Sequence, residues 1–116
     1  MVAQRYIAQQ PVDDFGQGFS TLNYGATLAA TTDTSLTVPG LAQRYKAVIK
    51  CETDSVVWVA LNQDATVALA GSFAAVSSEM VPVNGVLCKQ VQADDVLHFY
   101  TAGTGIDVSV VFYSNT

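Results

Sequence analysis

Apolar and polar residues alternate with a period of two almost wherever a period can be read, which predicts strands rather than helices. From Tyr45 to Cys51, the residues Tyr45, Ala47, Ile49 and Cys51 share one face. Lys46 and Lys50 point the other way beside Val48, as in a half-buried strand. Polar Thr53-Asp54-Ser55 then leads into Val56-Val57-Trp58-Val59-Ala60-Leu61, a run apolar on both faces. The two runs are expected to form a hairpin whose second strand lies deeper, closed off by Asn62-Gln63-Asp64. Near the end of the chain Ile106, Val108, Val110 and Phe112 alternate with Asp107, Ser109, Val111 and Tyr113. The turn Ala102-Gly103-Thr104-Gly105 separates that strand from another at Val96–Tyr100, which follows the turn-forming Ala93-Asp94-Asp95. A further hairpin is expected where Glu79–Val83 and Val86–Lys89 flank Asn84-Gly85, a dipeptide suited to a type I′ turn. Pro82 cannot donate to a ladder and so belongs at a sheet edge or strand end.

Leu22–Leu28 and Ser35–Val38 also read as strands, the second stopped by Pro39-Gly40. The Ala- and Ser-rich stretch from Ala65 to Ser78 shows no helical stripe, and Gly71 interrupts it, so a short strand plus loop is expected. About eight short strands with no crossover helix predict an all-β fold, an antiparallel β-sandwich of jelly-roll-like form spanning 21–116. Residues 1–20 differ in kind. They are polar and aperiodic, with Tyr6, Phe15 and Phe19 embedded, and read as an extended N-terminal arm whose Arg5, Tyr6, Phe15 and Phe19 contribute to docking.

Composition narrows the function classes. The 116 residues, 50% hydrophobic and 13% charged, suit one domain with a packed core, and no stretch is long and apolar enough for a bilayer helix. The formal net charge is −5, and Arg5, Arg44, Lys46, Lys50 and Lys89 are the only lysines and arginines. These are too few and too scattered for a nucleic-acid-binding stripe, so no direct nucleic-acid or membrane partner is expected. The N-terminal Met1-Val2-Ala3-Gln4-Arg5-Tyr6 lacks the pattern of a secretory signal, which implies synthesis in a cytoplasm. Cys51 and Cys88 lie in apolar runs and are expected to be free thiols, pairing only where the fold brings their strands together. Two cysteines and one histidine without short spacing do not make a structural zinc site, and no metal or cofactor is expected.

Candidate chemistry is sparse. His98 is the one histidine able to activate a serine or cysteine, and it lies mid-strand, on the face opposite Leu97 and Phe99, where a surface or satisfied role is expected. The acid pairs Asp13-Asp14 and Asp94-Asp95 are adjacent residues that point apart on a strand, unlike the converging carboxylates of a glycosidase or calcium site. Gly16-Gln17-Gly18 and Gly103-Thr104-Gly105 lack the following helix that a phosphate loop needs. Trp58, with Tyr24, Tyr45, Tyr100 and Tyr113, could stack on a sugar, although its apolar neighbours point to core filling. No catalytic residue is assigned.

The runs Tyr24-Gly25-Ala26-Thr27-Leu28, Ser35-Leu36-Thr37-Val38-Pro39-Gly40, Ala47-Val48-Ile49, Val57-Trp58-Val59-Ala60-Leu61-Asn62, Ala93-Asp94-Asp95-Val96-Leu97-His98-Phe99 and Val108-Ser109-Val110 carry a resemblance. From Tyr24 to Tyr113 the chain resembles the small all-β virion proteins of tailed bacteriophages, some of which decorate capsids as cement. The resemblance implies a non-enzymatic structural protein, made in the host cytoplasm and bound to the outer capsid surface. Its partners would be the major capsid protein and further copies of itself, as a trimer that buries its strand edges. A carbohydrate- or receptor-binding module of a head fibre or tail is the alternative, and a small hydrolase using His98 a third class.

Overall fold

A computed structural model of the chain describes residues 19–51, 56–65, 67 and 71–114. Eight strands run in the order β1 Leu22–Leu28, β2 Thr34–Thr37, β3 Arg44–Cys51, β4 Val57–Leu61, β5 Glu79–Val81, β6 Val86–Gln92, β7 Val96–Thr101 and β8 Ile106–Ser114. No helix occurs among the described residues. The strands form two four-stranded antiparallel sheets, β1-β8-β3-β6 and β2-β7-β4-β5, packed face to face as a β-sandwich.

The core follows from the period of two. Tyr45, Ala47, Ile49 and Cys51 of β3 are all buried, facing inward beside Ile106, Val108, Val110 and Phe112 of β8. Val57, Val59, Leu97, Phe99 and Val81 complete the core from the second sheet. Phe112 is wholly enclosed at its centre. Its ring meets Tyr24 and Tyr45 edge-on, at centroid distances of 5.7 and 5.9 Å. The Tyr45 hydroxyl, carried into the core with its ring, accepts a 2.7 Å hydrogen bond from the Ala42 amide.

The strands fall close to their expected positions, but their pairing departs from expectation. β3 and β4 are not a hairpin: β3 lies between β8 and β6 in the first sheet, while β4 lies between β7 and β5 in the second. β5 and β6 likewise belong to different sheets. The Asn84-Gly85 turn has a 3.1 Å Gly85 N–H to Pro82 C=O bond and positive φ at Asn84 alone, the pattern of a type II turn rather than type I′. β7 and β8 are also split between the sheets. Turn chemistry reverses the chain at 82–85 and at 102–105. It does not decide whether the next strand returns beside its predecessor or crosses to the facing sheet. Among the described strands, only β4 and β5 are consecutive and pair, across the long 62–78 connection. The described residues of 65–78 contain no strand, so the short strand expected there is not found. Pro82 follows the end of β5, itself an edge strand, in line with its missing donor.

The turn expected at Ala93-Asp94-Asp95 is present, spanning Gln92 to Asp95. Asp94 takes φ +68°, the Asp95 amide donates to the Gln92 carbonyl, and the Asp95 carboxylate accepts the Gln92 amide at 2.9 Å. Cys51 and Cys88 lie on paired strands, yet Cys88 sits opposite outward-facing Val48 whereas Cys51 points into the core. The two are not joined in a disulfide.

Candidate functional site

The outer face of the second sheet gathers the side chains whose chemistry the sequence left open. On β4 the alternation turns Trp58 and Ala60 to the face opposite buried Val57 and Val59. Trp58 is therefore not core filling, as its neighbours suggested. It lies half-buried on this outer face, between Tyr100 of β7 and Met80 of β5. These three, with Val67, line a shallow groove of about 450 Å³. β4 is apolar on both sides because the start of the β4–β5 connection, residues 62–65, turns back over this face beside Ala60. Asn62 reverses the chain with φ +57°, and Ala60 and Ala65 are both buried.

That connection is pinned where His98 stands. His98 projects outward from β7, with Ser35 of β2 on one side and Ala60 of β4 on the other. Its Nδ1 lies 2.8 Å from Oδ2 of Asp33, in the β1–β2 loop, and 3.9 Å from Oδ1 of Asp64, in the β4–β5 connection. The second oxygen of Asp33 accepts the Ala65 amide at 3.0 Å. Asp33 thus ties three segments together. Partial burial works to raise its carboxyl, but the hydrogen bond from His98, the Ala65 amide and the charge of His98 outweigh that, holding it below the usual carboxylate value. His98 is in this sense the satisfied surface histidine that was expected. The involvement of Asp33 and Asp64 was not expected, because positions 33, 64 and 98 meet only through the fold.

No nucleophile for His98 appears among its described partners, which are the two carboxylates. Of the acid pairs, Asp94-Asp95 forms a turn, and Asp13-Asp14 lies outside the described residues. On the opposite sheet, Arg44, Lys46 and Lys50 share the outer face of β3, and Lys46 sits 5.8 Å from the Tyr113 ring centroid. Of the docking residues assigned to the arm, Phe19 is fully exposed at the start of the described chain. Arg5, Tyr6 and Phe15 lie outside the described residues.

The flanks of the sandwich differ. On one side the edge strands β5 and β6 are bridged by a 2.6 Å ion pair between Glu79 and Lys89. On the other, β1 and β2 part to leave a 240 Å³ crevice lined by Tyr24, Ala26, Thr34 and Leu36, with Phe99 and Val108 at its base. β1 is the edge of its sheet, and its sequence Leu-Asn-Tyr-Gly-Ala-Thr-Leu holds no charge and no proline. No family model, curated protein or solved structure matches the chain.

Proposed function

We propose that the chain is a non-enzymatic virion structural protein, a capsid decoration or cement protein. On this reading it binds the outer surface of a bacteriophage head as a homo-oligomer, most simply a trimer, with the major capsid protein as its other partner. The observation that carries the self-association is β1. A seven-residue edge strand with neither charge nor proline offers unpaired backbone groups to another chain, a liability that natural sheets ordinarily blunt. Two further features support the reading. Large apolar side chains stand free of the core: Phe19 and Phe73 are fully exposed and Leu41 is 83% exposed, as at surfaces that meet a partner. The strands are also wrapped in a particular way. Pairing β1 with β8, β2 with β7, β3 with β6 and β4 with β5 is one long hairpin rolled onto itself, an order that supports the jelly-roll-like form, a scaffold of capsid and lectin domains.

Light scattering on the purified full chain tests self-association, expecting a trimer that Asn23→Lys with Thr27→Lys on β1 converts to monomer. A wild-type monomer at high micromolar concentration refutes it. Co-sedimentation with heads of the encoding phage tests capsid binding, with Phe19→Ser expected to weaken it.

A second reading has its own observation. Trp58 and Tyr100 lie side by side on an outer face, so a glycan could stack there, as in a receptor-binding module of a head fibre or tail. Glycan binding abolished by Trp58→Ala in a folded variant would favour it over the cement reading.

A further inference from the structure

We infer that Asp33, Asp64 and His98 form a binding site for a divalent transition-metal ion of the zinc type. Their ligand atoms come from the β1–β2 loop, the β4–β5 connection and strand β7, and all lie within 4.8 Å of one another. An ion held by an imidazole nitrogen and carboxylate oxygens at about 2.0–2.2 Å, at tetrahedral angles, sets its donors roughly 3.4 Å apart. The His98 Nδ1 separations of 2.8 and 3.9 Å bracket that value, and the Asp33 and Asp64 oxygens, within 4.8 Å of each other, close on an ion by rotation of the exposed Asp64 side chain.

Two further features fit. The Ala65 amide holds Asp33 by its other oxygen, leaving Oδ2 directed at the His98 nitrogen, the kind of outer hydrogen bond that orients a ligating carboxylate. Accessibility is also suitable: the His98 side chain is 17% exposed and that of Asp33 28%, while Asp64 at 78% is free to close over an arriving ion. One nitrogen among two carboxylates suits zinc or manganese better than calcium, which takes six to eight oxygens. Three protein ligands leave a coordination position for water. With an ion bound, the β4–β5 connection would be clamped at Asp64 to the β1–β2 loop and β7 by metal bonds in place of the His98–Asp33 contact. The site does not depend on the virion reading.

The test uses the full chain carrying Cys88→Ser, because an exposed thiol can itself take zinc. After treatment with chelator, titration calorimetry with zinc chloride alone is expected to show one saturable site per chain. Asp64→Asn, an exposed loop substitution, should weaken it by about tenfold or more, and His98→Ala should abolish it. His98 is the one histidine in the sequence, so its imidazole proton resonances report directly and should shift with zinc and broaden with manganese. Absence of saturable binding, equal affinity in both variants, or unmoved imidazole resonances would overturn the site. Calcium binding as tight as zinc would overturn the assignment of metal class.

Discussion

Replacing Phe112 by alanine removes the ring on which both halves of the first sheet converge. Phe112 has no exposed surface and sits opposite Leu22 of β1 and Ala47 of β3. It meets Tyr24 and Tyr45 edge-on. A buried aromatic side chain removes roughly 150–250 Å² from water, about 4–6 kcal/mol at 25 cal/mol per Å². Alanine retains part of that burial, and neighbouring side chains collapse into part of the space, so the net loss expected is about 3–5 kcal/mol. That is a large share of the roughly 5–15 kcal/mol of a typical domain. Urea unfolding followed by the fluorescence of Trp58, the one tryptophan in the sequence, gives the number directly. The variant should unfold at a much lower midpoint with an unchanged slope. A loss below about 1.5 kcal/mol at constant slope would mean that Phe112 does not pack in a closed core. The inward register of β8, and with it the sandwich, would then be wrong.

Three more outcomes follow from particular residues. In metal-free buffer, the lowered Asp33 carboxyl contributes stability above its ordinary value of 3.8 that is lost as the pH falls through its lower folded value. Thermal melts from pH 6 down to pH 2.5 should therefore show a shallower acid loss for Asp33→Asn than for the wild type, and parallel curves would refute this. At Asp94, with φ +68°, alanine should cost about 1 kcal/mol and glycine close to nothing by the same urea assay, and equal costs would contradict the turn geometry. A thiol reagent should label Cys88 alone in the native protein and Cys51 only after unfolding, because Cys51 is buried and Cys88 exposed. Two fast native thiols would place Cys51 outside the core.

Strand positions were legible in the sequence because a half-buried strand writes its own alternation. Tyr45, Ala47, Ile49 and Cys51 all face inward as their spacing required. Pairing was not legible, since Asn84-Gly85 and Ala102–Gly105 reverse the chain equally well toward either sheet. Trp58 was misjudged for a related reason. An unbroken apolar run shows that both faces of a strand are covered, not that one cover is a loop from the same chain. The His98 cluster was the least visible. Asp33 and Asp64 lie in separate loops, and neither residue carries a local signal that a histidine waits on β7.

The nested pairing also bears on how the protein is made. Ser20 bonds to the carbonyl of Phe112, 92 positions away, and β8 is the strand that joins β1 to β3. Until β8 leaves the ribosome, the first sheet lacks an interior member and much of its hydrophobic lining has nothing to close on. So dominant a share of long-range contacts predicts refolding in milliseconds to seconds rather than microseconds. During synthesis the bare flank of β1 would be exposed for longest, making nascent chains the stage most prone to joining wrongly.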